Sequence, residues 1–393
     1  MRRVCRLAGW PVGLLVFAAA TSVYAMASRP PEHPYVGLRV AVLENEREVI
    51  LKVKGLYRLE RLYTHETIRE GKNFEETFYP SPQGLIVGSE QTGLVGVTLL
   101  PLKEEVVRVN GRRFRGVIDI VRQSERSLLV VNHLDLEEYL YGVLVREVPH
   151  DWPKEMLEVQ AILARTYAVY KKMENADKDY DLSSTVLSQV YGGREGEKRL
   201  ARAAVNRTLS KVLVYQGTLF PTFYHSTCGG HTEDAVQVKF LKRGLLPLAG
   251  RECPYCTSSP FYRWERSFLY SDLALRLQKG GYKVSGLKEI QTGPLDPSGR
   301  VTTLNLIYRG GNLTLPAIDF RLAIGPSELR STRFRLENGW NRVTFVGSGW
   351  GHGVGLCQWG AHEMARKGHC AEEILLFYYP GSEIRELMGI PWN

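Results

Sequence analysis

Beyond Ala27 the chain has no apolar run long enough to cross a membrane, so any membrane contact is expected only through the N-terminal segment. Other absences narrow the chemistry. There is no H-E-x-x-H, which counts against a zinc peptidase, and no Lys-Ser/Thr follows the glycine-rich stretch near the C-terminus, so that stretch is not a phosphate loop. Neither an aromatic-basic RNP run nor a Cys2His2 finger spacing is present, and no nucleic-acid partner is expected. His225 and Ser226 are adjacent, but neighbours on a strand point to opposite faces. With no third member and no strand-Ser-helix elbow, a serine hydrolase is not indicated. Cysteine is scarce at six residues. Loss of Cys5 with the N-terminal segment would leave an odd set, which cannot be wholly paired within the chain.

What is present is globular in composition, 44% hydrophobic and 24% charged, and 393 residues suffice for more than one domain. A formal charge of +9 suits an anionic partner such as nucleic acid, anionic lipid or a cell-wall polymer. Arg2, Arg3 and Arg6 precede the apolar run 7–20, and small residues favour cleavage after Ala25 or Ala27. Residues 1–27 therefore read as a secretory signal or membrane anchor, and the mature protein is expected outside the cytoplasmic membrane, secreted or in the cell envelope.

Residues 28–133 read as β-rich, with Asn110-Gly111 between two runs as a hairpin signal. Residues 134–173 organise the rest. Asp135 is placed to cap a helix, and Leu136, Tyr139, Leu140, Val143 and Leu144 form an apolar stripe on it. Glu147 is the next member of that stripe, and Pro149 ends the helix there. Apolar neighbours and the negative end of the helix dipole both disfavour a charged carboxylate, which suits a general acid. The competing reading pairs Glu147 with Arg146 or Arg165 as a structural ion pair.

Asp151-Trp152-Pro153 starts a second helix. Gln160, Arg165 and Tyr167 sit amid its small, packing residues, as internal hydrogen-bonding groups or as substrate contacts. Cys228, Cys253 and Cys256 with His225 or His231 have the donor types of a closed structural zinc site, and a disulfide with a free thiol is the alternative. Residues 259–345 read as a second β-rich lobe without chemistry, with a turn at Asp296-Pro297-Ser298-Gly299, and Gln358–Arg366 reads as a helix. In residues 347–355 glycine takes every second place; an extended strand there would be bare on one face and carry Ser348, Trp350, His352 and Val354 on the other. Close packing beneath the catalytic helices accounts for the glycines, and the role of His352 stays open. The expected architecture is α+β and multi-lobed, with two consecutive helices packed on β-rich segments. Its parts are 28–133, a catalytic core in 134–258 and 346–393, and the lobe 259–345.

Three separated motifs resemble the SpoIID/LytB family of stage II sporulation protein D and amidase enhancers. They are LEEYLYGVLVREVPHDWPKEMLEVQAILARTYA, YHSTCGGHTED with its following CPYC, and GSGWGHGVGLCQWGAHEMARKG with YYPGSEI. The resemblance implies a lytic transglycosylase that cuts peptidoglycan strands already stripped of stem peptides. It places the catalytic glutamate on Glu147, matches Arg165 to the arginine of the family's ARTY motif, and sets His225 and Ser226 of its HST motif along the substrate groove, with zinc near that region in some members. Chemistry then needs no cofactor. Where many members carry lysine this chain has Glu158, which bears on substrate preference. On the LytB side the implied role is non-catalytic, a wall-binding enhancer of an N-acetylmuramoyl-L-alanine amidase.

Overall fold

The computed structural model describes residues 35–103, 106–185 and 189–390, so the signal or anchor read in residues 1–27 lies outside the described residues. The fold is α+β. It divides into two compact units, one running up to Glu147 and including Glu174–Arg199, the other made of Val148–Met173 and everything from Leu200.

The first unit is built on a large, mainly antiparallel sheet. Its strand order is Leu182–Ser183, Gly37–Glu46, Ser127–Asp135, Val117–Ser124, Gly96–Pro101, Val49–Arg61, Thr67–Ser81, Gly84–Val87 and Glu90–Gln91. The expected hairpin pairs Val107–Val109 with Arg112–Phe114, and Asn110 and Gly111 both take positive φ, as a tight two-residue turn requires. The strand Ser127–Asp135 runs directly into helix α1, Leu136–Glu147. Asp135 caps it by accepting the Glu137 backbone N–H at 2.8 Å. The five stripe residues Leu136, Tyr139, Leu140, Val143 and Leu144 are all buried, which is why this face of α1 lies on the core.

The second unit holds α2, Lys154–Glu174, which begins one residue after Pro153. Residues 156–169 of α2 are buried with the single exception of Glu158, so it is a core helix, with Gln160 and Arg165 wholly enclosed. The unit continues through α3, Arg199–Arg207, and a small sheet of Lys211–Tyr215, Thr218–Leu219 and Glu383–Glu386.

Within the second unit, residues 264–345 enclose a core of their own. Leu273, Leu277, Leu304, Leu306, Phe320 and Phe345 are all fully buried in it. This core joins α4, Tyr270–Lys279, and α5, Ala317–Ile324, to two three-stranded antiparallel sheets. After it, α6 covers Gln358–Arg366, as the sequence predicts, and α7 covers Ala371–Tyr378.

Candidate functional site

Glu147 is the last residue of α1, half-buried, at the negative end of the helix dipole. Its Oε1 accepts the backbone N–H of Val190 at 2.9 Å. That amide belongs to a segment crossing the C-terminal half of α1. Gly142 permits the crossing, because a Cβ there would lie 2.6 Å from the Tyr191 ring and 2.8 Å from the Gly193 carbonyl oxygen. The segment is pinned on several sides. Tyr191 donates its hydroxyl to Asn132 Oδ1 at 3.2 Å, Tyr139 donates to Gln189 Oε1 at 3.1 Å, and the Gly192 N–H reaches the Gly142 carbonyl at 3.1 Å. Arg113 pairs with Glu195 and Arg115 with Glu197 just beyond. The Glu147 carboxyl is thus positioned by a backbone donor forty-three residues away, which α-helical spacing does not reveal.

The remaining candidate residues belong to the second unit. Tyr224–His225 pairs in parallel with Leu356–Cys357, and this pairing draws the two glycine-bearing motifs together. The stretch 347–355 is not an extended strand. Gly349, Gly351, Gly353 and Gly355 all have positive φ, and a Cβ at Gly351 would lie 2.6 Å from that of His225. At Gly355 it would lie 1.9 Å from the Phe223 carbonyl oxygen. Close packing is therefore the reason for these glycines, as expected, but its partners are residues 223–228 and, at Gly353, the Arg300 guanidinium rather than the catalytic helices, and the two-faced strand is corrected.

His225 and His352 meet with ring centroids 5.6 Å apart. His225 Nδ1 lies 3.1 Å from the Val354 carbonyl oxygen, so it carries the proton. Its buried Nε2 then presents a lone pair with no protein partner among the described residues. Burial, then the neighbouring His352 and Arg300, hold its pKa well below the ordinary histidine value. His352 takes the opposite tautomer, accepting the Val354 N–H on Nδ1 at 3.1 Å. Burial and the charge of Arg321 push its pKa down to about 3. Both rings are neutral near pH 7. Ser226 is half-buried, with Oγ 3.4 Å from Thr227 Oγ1, and its carbonyl accepts the Trp359 N–H at 3.0 Å.

On α2, Tyr167 packs its ring 6.1 Å from that of Phe223. Gln160 Oε1 accepts from Gln358 Nε2 at 3.3 Å, while Gln160 Nε2 is buried and unpartnered among the described residues. Arg165 donates to the carbonyl oxygens of Lys211 at 2.9 Å and Val205 at 3.4 Å, so part of its role is to tie α2 to α3 and the strand that follows. Glu158 pairs with Arg207 at 2.6 Å.

The cysteine cluster differs from the expected Cys3His set. Cys228, Cys253, Cys256 and Cys357 are all buried and bring their sulfurs within 4.8 Å of one another. His231 is elsewhere, its Nδ1 2.6 Å from the Thr232 carbonyl oxygen and its backbone bridged to Glu252. Cys357 takes the fourth place because the parallel pairing at His225 carries it beside Cys228, whose N–H lies 3.2 Å from the Cys357 sulfur. Four sulfurs around a zinc at about 2.3 Å would stand about 3.8 Å apart, so this donor set fits a structural zinc. The Gly230 N–H, 3.4 Å from Cys228 Sγ, and the Tyr378 hydroxyl, 3.2 Å from Cys253 Sγ, supply the surrounding hydrogen bonds.

A buried polar network went unread in the sequence. Ser298 Oγ lies 2.9 Å from Glu233 Oε2 and 2.7 Å from Asp296 Oδ1. Arg300, 1% exposed, reaches the carbonyl oxygens of His231 at 3.0 Å and Cys228 at 2.9 Å. Burial, then the hydrogen-bonded Asp296, push Glu233 up to about 7. Burial opposes the charge on Asp296 too, but its bonds with Glu233, Ser298 and the Arg300 backbone outweigh that and hold it below the usual range. The Asp296-Pro297-Ser298-Gly299 turn was visible in the sequence, but its partner Glu233 lies sixty-five residues from Ser298.

Residues 124–215 match the family described as stage II sporulation protein, and residues 248–355 match a domain of unknown function. The chain is 31% identical over 366 residues to an uncharacterized protein of Brachyspira hyodysenteriae, covering 92% of this chain and 95% of that one. It is 29% identical over 284 residues to stage II sporulation protein D of Bacillus subtilis, covering 68% of this chain and 79% of the relative. With the amidase enhancer of Bacillus subtilis the figures are 25% over 298 residues, 62% of this chain and 40% of the relative. These matches define a protein of the sporulation-protein-D class and support a cell-wall-related role. The chain belongs to the SpoIID/LytB family.

Proposed function

We propose that this protein is a peptidoglycan lytic transglycosylase acting on glycan strands stripped of their stem peptides. The observation that carries this reading is the half-buried carboxyl of Glu147, closing α1 and fixed by the Val190 amide. A hydrolase acting by the usual route needs two carboxylates, one as acid and one to supply or activate the nucleophile. When the sugar's own C6 hydroxyl attacks, one carboxyl suffices. Glu147 protonates the oxygen between N-acetylmuramic acid and N-acetylglucosamine, and the C1–O bond breaks. The C6 oxygen then bonds to C1 and returns its proton to Glu147, leaving a 1,6-anhydro end. The neutral His225, with a lone pair on Nε2, suits a sugar hydroxyl donor. Gln160, Arg165, Tyr167, Ser226 and His352 are the other proposed binding residues.

The chemistry needs no cofactor. Cys228, Cys253, Cys256 and Cys357 would hold a structural zinc, which supplies folding energy when bound. From the signal-like pattern of residues 1–27 we propose that the mature protein works outside the cytoplasmic membrane.

A second reading, favoured by the relative named amidase enhancer, makes the protein a non-catalytic wall binder that stimulates an amidase. Incubation of the mature protein with peptide-free strands, followed by mass spectrometry, separates the two. Anhydro-muramic products that vanish in Glu147→Gln support the enzyme. Stimulation of an added amidase without such products supports the enhancer.

A further inference from the structure

The lobe around residues 264–345 has its own core and lies outside the segment that matches the sporulation-protein family. In its sheet of Trp264–Leu269, Arg342–Gly347 and Phe334–Asn338, Gly347 is in register with both Trp264 and Phe334. At that end of the sheet is an open basin of about 630 Å³, lined among others by Arg263, Trp264, Glu265, Arg333, Arg335 and Ser348. Three guanidinium groups thus share the basin with one carboxylate.

None of the three arginines is held in a buried ion pair among the described residues. Arg333 donates Nη1 to the Gly229 carbonyl oxygen at 2.6 Å, which orients its fork. Glycines flank it: a Cβ at Gly230 would come within 3.2 Å of Nη1, and one at Gly299 within 3.5 Å of Nε. Arg335 pairs with Glu337 at 2.9 Å, both side chains more than half exposed, and such pairs are weak and readily exchanged. Arg263 is exposed, with no acidic partner among the described residues. A volume of this size accommodates a sugar unit or two, and arginine forks match planar carboxylates.

We propose that this basin is an anion subsite that binds the free carboxylate of a muramic acid residue in a glycan strand. The inference rests on the proposed substrate, because only removal of the stem peptide exposes that carboxylate. The lobe then reads whether a strand has been stripped.

The test uses the full mature chain carrying Glu147→Gln, so that binding is read without cleavage. Affinity is measured for peptide-free strands, for the same strands with their carboxylates amidated, for a neutral chitooligosaccharide and for a phosphate-bearing wall polymer. The inference expects Arg263→Ala/Arg335→Ala to weaken binding of peptide-free strands roughly tenfold or more. It expects the chitooligosaccharide to be unaffected, amidated strands to bind as weakly to the parent as peptide-free strands do to the double variant, and Arg263→Lys to keep more affinity than Arg263→Ala. Unchanged affinity in a folded double variant overturns it, as does equal binding of amidated strands. An arginine dependence confined to the phosphate polymer also overturns it. Charge-dependent binding without cleavage by the unmutated protein would sink the chemistry and leave the subsite standing. Cleavage without arginine dependence would do the reverse.

Discussion

The backbone amide of Val190, donating to Oε1, helps set where the Glu147 carboxyl stands. Other residues are equally committed. Gly355 has positive φ and no room for a side chain, its Cβ position 1.9 Å from the Phe223 carbonyl oxygen. Gly355→Ala is therefore expected to cost about 2 kcal/mol or more, measured by urea denaturation; a loss under about 0.5 kcal/mol would mean the loop relaxes freely. Glu233 makes a prediction in pH. Its folded pKa of about 7 lies above the ordinary carboxylate value, so the folded state holds the extra proton. Its stabilising contribution is complete below about pH 4.5 and is lost as pH rises through about 7. Thermal melting should show that this decline is present in the parent and reduced in Glu233→Gln. His352 acts in the opposite sense. With a folded pKa of about 3, it favours the folded state above the ordinary histidine value and withdraws that support as pH falls toward 3.

At the scale of elements, local pattern and remote pairing divide cleanly. The stripe of α1, its cap at Asp135, the Asn110-Gly111 hairpin and the span of α6 were legible, because each is decided by residues a few positions apart. The fourth member of the cysteine cluster was not. Cys357 joins Cys228 only through a parallel pairing between strands 132 residues apart, and nothing in the spacing of either motif announces it. The glycine stretch failed for a related reason: alternation suggests a strand, but positive φ at four glycines is imposed by the residues beneath them. The cluster yields a direct prediction. If the chain is purified with zinc, Cys357→Ser should lower the metal content measured by plasma mass spectrometry, whereas His231→Ala should leave it unchanged. Loss of metal in His231→Ala would restore the Cys3His set.

For the whole molecule, two compact units imply two sources of cooperativity. Calorimetry is expected to give a van't Hoff enthalpy smaller than the calorimetric one, whereas equal values would show a single two-state transition. The composition and motifs made the family legible and pointed to the wall, but the lobe with its own core looked chemically silent. Its arginines are scattered from Arg263 to Arg335 and converge only once the sheet is folded. The central claim concerns one carboxyl, and the most direct measurement is mass spectrometry of peptide-free glycan strands digested by the mature protein and by Glu147→Gln. The account predicts 1,6-anhydro-muramic ends from the first, and at least about a hundredfold less from the second at unchanged thermal stability. Equal product from both proteins, or none from the unmutated chain, would contradict it.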